Sequence, residues 1–232
     1  HGFSNPYESI YDIESNEIEV NIPKLNKGLL NAFTFYPTPE WLNDGISEEA
    51  MRHYNILYSI SRNKIIIPHY DVDDNLIGIR GRALNDEDIA IGKYMPVRIE
   101  GKTYAHPLGY NLYGLNVVKD NIKRLKMAIV AEGEKSPLQS ETMFGAENNI
   151  TVASCGSTLH MYQVKLLLEA GAERILIAYD NEGATWEEKE KYFQKLKSMC
   201  EKFKNYCLMG FTFDNSGISR SEERRVGKEC RS

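Results

Sequence analysis

Residues 126–183, KMAIVAEGEKSPLQSETMFGAENNITVASCGSTLHMYQVKLLLEAGAERILIAYDNEG, decide how this chain folds. Three short apolar runs rich in Val and Ile, KMAIVAE, NITVAS and RILIAYD, have the length of buried strands. Between them lie stretches that suit helices, Pro137 to Phe144 and Thr158 to Ala170. A longer helix is expected from Thr185 to Phe203, with Phe193, Leu196, Met199 and Phe203 inward, and a last strand near Tyr206 to Met209. Strands that alternate with helices join by right-handed crossovers into a parallel sheet covered on both faces.

Upstream the grammar differs. NKIIIPHY (Asn63 to Tyr70) and NLIGIRGRAL (Asn75 to Leu84) are strand runs joined by an Asp-Val-Asp-Asp turn, which predicts a hairpin. A second hairpin is expected from Val97 to Ile99 and Lys102 to Tyr104 around Glu100-Gly101. Before them Ser47, followed by Glu48 and Glu49, reads as the cap of a short helix. The fold class is therefore α/β, a parallel sheet flanked by helices and preceded by a smaller α+β subdomain of antiparallel hairpins.

The composition suits a folded domain: 232 residues, 42% hydrophobic, 26% charged, with 14 Tyr, 8 Phe and 2 Trp for a core. No run of about 18 apolar residues occurs, so no transmembrane helix is expected. Cys155, Cys200, Cys207 and Cys230 form no CxxC pair, which argues against a disulfide framework or a zinc knuckle. The start at His1 and the last residues suggest a fragment. Arg220 to Ser232, RSEERRVGKECRS, reads as translated sequencing adapter and is set aside. Of the remainder, residues 52–128 carry 12 basic and 8 acidic groups while both flanks are acidic, so phosphate contacts are expected in the middle. Residues 1–37 read as a linker or the end of an upstream region, 38–125 as the basic subdomain and 126–219 as the parallel-sheet domain.

In parallel sheets functional residues gather at the carboxyl ends of the strands. Glu132 ends the first strand here, and Asp180, followed by Asn181 and Glu182, ends the third. Carboxylates suit hard cations such as Mg²⁺ and Mn²⁺, which retain waters and bridge to phosphates. The plain alternative for Asp180 or Ser136 is a helix N-cap. His69 and His106 are expected to pack or hydrogen-bond, because no Cys or His partner stands at ligand spacing. Tyr110 and Tyr113 are expected in the core rather than stacked on bases.

AEGEKS at 131–136, SCGST at 154–158 and IAYDNEG at 177–183 together resemble the Toprim domain of bacterial primases, topoisomerases and related nucleases. WLNDGIS, the Pro68–Arg82 hairpin, KYMP and NLYGLN in that order resemble the RNA polymerase core of DnaG-type bacterial and phage primases. The resemblance spans Trp41 to Leu208. It implies a primase catalytic core that makes short RNA primers on single-stranded DNA from NTPs by nucleotidyl transfer with Mg²⁺ or Mn²⁺. It also implies a bacterial or phage-infected cytoplasm and a replicative helicase as partner, in the full-length protein or in trans.

Carried over residue by residue, the resemblance makes Glu132 the metal-linked catalytic acid, with Asp180 and Glu182 binding the divalent ions. Glu182 stands where the family has Asp, and Asp214 is the candidate for a further acid downstream. Arg80, Arg82 and Lys93 match basic residues that line the groove for template and nucleotide, where their physical role is phosphate neutralisation. Leu108 stands where the family has a lysine, and Lys135 is the candidate replacement. Two other readings stay open: a Toprim metal-dependent nuclease, and a non-catalytic module that binds single-stranded DNA.

Overall fold

The computed structural model describes residues 21–180 and 185–213. It divides into an antiparallel half and a parallel half that share a buried seam.

In the antiparallel half the helices α1 (Pro39–Asn43) and α2 (Glu48–His53) precede four strands, β1 (Leu57–Ser59), β2 (Lys64–Tyr70), β3 (Leu76–Ala83) and β4 (Tyr94–Pro96), in the order β1-β2-β3-β4. Ser47 caps α2 as expected, its hydroxyl accepting from Ala50 N at 3.1 Å. The predicted hairpin is β2–β3, with Ile67 opposite Arg80 and Ile65 opposite Arg82. Asp71 shapes its turn, one carboxylate oxygen accepting from Asp73 N and Asn75 N at 3.0 and 2.9 Å while Asp74 takes a left-handed φ of 64°. Pro68 follows the Ile65–Ile67 run in β2, and β1 pairs only as far as Ile66, so its missing N–H breaks no bond with that neighbour. Helix α3 (Asp86–Ile91) joins β3 to β4, and β5 (Arg98–Ile99) with β6 (Lys102–Thr103) forms the small second hairpin around Glu100 and Gly101, both at positive φ.

The hairpin's pleat sorts its side chains onto two cores. Ile66, Leu76, Ile79 and Val97 cluster on one face, against which Leu25, Leu29, Leu30 and Phe33 pack. Ile65 and Ile67 lie on the other face with Trp41, Met51, Tyr54 and Tyr113, in a cluster that also contains Leu138 and Ala153 of the parallel half. This second cluster is the seam.

In the parallel half helix α4 (Leu115–Leu125) leads into β7 (Met127–Ala131), α5 (Lys135–Phe144), β8 (Thr151–Ala153), α6 (Met161–Glu169), β9 (Arg174–Ala178), α7 (Trp186–Phe203) and β10 (Leu208–Phe211). The sheet is parallel throughout, ordered β10-β9-β7-β8. Val152 joins the core with Val130, Ile175 and Ile177, while Ala153 faces the seam, as alternation requires. Tyr113 bonds both ways to Ala153, at 2.9 and 3.0 Å, and covers the outer edge of β8.

Several boundaries differ from the sequence expectation. α5 starts two residues before Pro137, which sits in the first turn, where a missing N–H costs no intrahelical bond. α6 starts at Met161 rather than Thr158, because Gln163 Oε1 accepts from His160 N while its amide donates to Leu108 O, Asn111 O and Ser154 O. In α7, capped at its start by the Thr185–Glu188 capping box, Tyr192 takes the buried position given to Phe193, which meets Phe211 and Phe213 edge-on. The last strand lies two residues later than expected. Tyr113 is buried, but Tyr110 is exposed and lies tilted against Tyr162 rather than joining the core. No described helix is long and apolar enough to cross a membrane.

Candidate functional site

The parallel sheet carries a point of divergence. β7 connects through α5 to β8 on one side, and β9 connects through α7 to β10 on the other, so the chains leaving β7 and β9 part in opposite directions. A crevice opens at the carboxyl ends of such a pair, and ligands of open α/β sheets bind there. Ala131 of β7 pairs with Ala178 of β9, so the next residues out are Glu132 on one strand and Tyr179 and Asp180 on the other. Register alone brings Glu132 and Asp180, 48 positions apart in sequence, to adjacent strand ends.

Their surroundings are polar and roomy. Tyr179 is buried and its hydroxyl donates to Ser154 Oγ at 2.8 Å, while Ser154 donates to Gly156 O at 2.8 Å. Burial, with the Glu132 charge adding to it, pushes the Tyr179 phenol up to about 12. A β-carbon at Gly133 or Gly156 would meet nothing within 4 Å, so both loops border open space. Glu132 is half-buried and Asp180 exposed. The two carboxylates therefore offer hard oxygen donors beside room for a hydrated ion, a fit for a hard divalent cation. Glu182 and Asp214 lie outside the described residues.

The basic candidates have separate surroundings. Lys93 is exposed at the entry to β4. Lys135 ion-pairs with Asp44, and Gln139 donates to Asp44 O at 2.9 Å, so this lysine clamps α5 to the α1–α2 corner. Arg82 is buried at 8% exposure, its Nε without a hydrogen-bond partner. Arg80 points from β3 into the seam. Its guanidinium ion-pairs with Glu134, reaches Tyr94 O at 3.4 Å and lies 5.7 Å from the Tyr94 ring centroid.

Glu134 is the residue that sequence reasoning missed. It sits in the turn after β7 at 2% exposure, held between Arg80 and His69. His69 Nε2 is 3.4 Å from Glu134 Oε1, an ion-pair distance, but it is out of line for a hydrogen bond. Burial works to raise the Glu134 pKa, and the contacts with His69 and Arg80 overcome it and hold the group below its ordinary range. Burial holds His69 and His106 below theirs, His106 at about 3, so Arg80 is the charge that Glu134 answers. Burial, together with the Glu134 charge, pushes the Cys155 thiol up. One signal was available: β3 is buried along almost its whole length, with Gly78 and Gly81 beside Arg80, so an arginine there must find a buried partner.

No family model matches the chain. It is 32% identical over 217 residues to the SPbeta prophage-derived uncharacterized protein YorJ of Bacillus subtilis, covering 88% of this chain and 57% of that protein. It is 36% identical over 129 residues to a DNA primase of Clostridium acetobutylicum, covering 55% of this chain and 20% of the primase. Among solved structures it is similar to a DnaG primase catalytic domain bound to single-stranded DNA, with a TM-score of 0.60, 19% identity, and coverage of 88% of this chain and 74% of that one. The chain thus spans little more than half of the first relative and a fifth of the second.

Proposed function

Because the chain has the fold of the DnaG-type primase catalytic core, a Toprim-like parallel sheet joined to an antiparallel half, and is a sequence relative of DNA primases, we propose that it is the primer-synthesising core of a DNA primase. The substrates in this reading are a single-stranded DNA template and NTPs, and the reaction is attack of a 3′ hydroxyl on an α-phosphate with release of pyrophosphate. The observation that carries it is the placing of Glu132 and Asp180 at adjacent strand ends where the crossovers diverge, within that fold.

Glu132 and Asp180, with Glu182 from the sequence pattern, are the residues that would hold Mg²⁺ or Mn²⁺. When bound, the ion lowers the pKa of the attacking hydroxyl and offsets charge on the pyrophosphate. Lys93 and, nearer the seam, Arg82 supply positive charge for template and nucleotide phosphates. Arg80 and Lys135 act from behind: their cations are committed to Glu134 and Asp44, so they set the walls of the groove. A replicative helicase is the expected partner of the whole protein.

The test is ribonucleotide incorporation on single-stranded DNA with Mn²⁺, comparing the wild type with Glu132→Gln and Asp180→Asn. Template-dependent RNA that falls at least about a hundredfold in both variants is the expected result. RNA synthesis retained in either variant refutes the assignment. Metal-dependent cleavage without synthesis makes the chain a nuclease, and equal single-strand binding by all three proteins with neither activity makes it a binding module.

A further inference from the structure

We propose that the seam between the two halves holds a second metal site, built by His69, Glu134 and Cys155 and suited to Zn²⁺ rather than to Mg²⁺. The imidazole of His69, a carboxylate oxygen of Glu134 and the Sγ of Cys155 lie within 4.8 Å of one another. They arrive from three separate segments: β2, the turn after β7 and the loop after β8.

Three observations point to a ligand. His69 is 1% exposed, and its Nε2 faces only Glu134 Oε1, 3.4 Å away and out of line, although buried polar atoms in folded proteins almost always have a well-formed hydrogen bond. Cys155 holds a left-handed φ of 57°, which a residue with a β-carbon resists and which is retained at sites that need a side chain in one place. His106 lies beside the cluster, its ring centroid 4.8 Å from that of His69, and it too has a buried Nε2 without a partner.

The donor set selects the ion. A thiolate with an imidazole and a carboxylate suits Zn²⁺, whereas Mg²⁺ and Mn²⁺ prefer oxygen donors such as Glu132 and Asp180. With bonds of about 2.0 to 2.3 Å, tetrahedral donors stand roughly 3.3 to 3.8 Å apart, so binding requires the three groups to draw in by about 1 Å. On binding, the Cys155 thiol loses its proton to solvent and the sulfur–metal bond forms, with no change of oxidation state. Arg80, whose guanidinium also hydrogen-bonds the Cys155 thiol, gives up the sulfur on binding and stays on the Glu134 carboxylate as the hydrogen-bonding partner that ligating carboxylates carry. An ion here, held by three protein donors with water in the fourth position, ties β2 to the two loops beside Glu132 at the base of the carboxylate crevice.

The experiment uses the full chain with Cys200→Ser, Cys207→Ala and Cys230→Ser, leaving Cys155 as its only thiol. Co²⁺ is titrated into the metal-free protein and followed by absorption, with circular dichroism reporting the fold. One equivalent of Co²⁺ giving a sulfur-to-cobalt charge-transfer band, bleached by one equivalent of Zn²⁺ but not by excess Mg²⁺, is the expected result, and adding His69→Asn abolishes it. Absence of the band in folded protein, or its persistence with His69→Asn, overturns the proposal. Should the triple variant fail to fold, zinc-edge X-ray absorption on the wild-type chain decides: one sulfur among nitrogen and oxygen scatterers supports the site, and no sulfur or several overturns it. The readout is spectroscopic, so it stands whether or not the chain makes primers.

Discussion

Replacing Glu134 by Gln removes the negative member of the buried ion pair while keeping its shape. The side chains of Arg80 and Glu134 are 14% and 3% exposed, so the guanidinium cannot recover full hydration when its partner goes. Removing one member of a buried pair costs about 3–5 kcal/mol when nothing replaces it. Here the Gln carbonyl still accepts one bond, and Arg80 keeps Tyr94 O and the Tyr94 ring. The expected loss is therefore about 2–3 kcal/mol, below that range because part of the contact survives. For a chain of this size that lowers Tm by roughly 4–12 °C. The assay is urea unfolding at pH 7 in chelator, followed by circular dichroism, for Glu134→Gln, Glu134→Leu, Arg80→Met, and Arg80→Met with Glu134→Leu. Arg80→Met strands a carboxylate beside a neutral imidazole and costs about as much or more. The double variant, with both charges gone, returns to within about 1 kcal/mol of the wild type, a coupling of at least about 3 kcal/mol. A Glu134→Gln protein within about 0.5 kcal/mol of wild type, or two single effects that simply add, would refute the seam described above.

Three further outcomes follow from named contacts. His69 and His106 stay neutral when folded, largely through burial, so the unfolded chain takes up protons from about pH 6.5 downward while the folded chain does not. Stability therefore falls as pH drops below 6.5, by up to about 1.4 kcal/mol per unit for each group, and the depressed Glu134 adds a loss of the same sign below about 4.5. Urea midpoints measured from pH 7 to pH 5 check this; a midpoint that rises on acidification contradicts it, and His69→Gln with His106→Gln flattens the curve. A β-carbon at Gly78 would lie 2.2 Å from His106 Nδ1, so Gly78→Ala is expected to cost about 1–3 kcal/mol, and much less when His106→Ala makes room, read by the same unfolding assay. Lys93→Ala is expected to weaken single-strand binding and to lower the slope of log K against log salt by about 1, measured by fluorescence anisotropy; an unchanged slope removes Lys93 from the phosphate contacts.

How far the sequence reaches is shown by particular residues. The period of the apolar runs made the antiparallel hairpin and the parallel sheet legible, because which face of an element is buried is written in its own neighbours. The position of Glu132 and Asp180 at strand ends was legible as well, since each closely follows an apolar run. Helix starts were read less well: α6 begins three residues late because Gln163 bonds the Leu108 and Asn111 carbonyls of a distant segment as well as Ser154 O, and that is a tertiary fact. The seam is a stronger case. Arg80 meets Glu134 across 54 positions and Lys135 meets Asp44 across 91; the sequence offered both cations as phosphate contacts and gave neither carboxylate a role. His69 and Cys155 share no ligand spacing, so only the packing of β2 against the loops after β7 and β8 sets them together. Local pattern determined which residues go inside and where the strand ends carry acids. The partner each buried polar group finds was decided by the docking of two sheets, because that choice depends on register and approach across the seam, and no period within one segment records either.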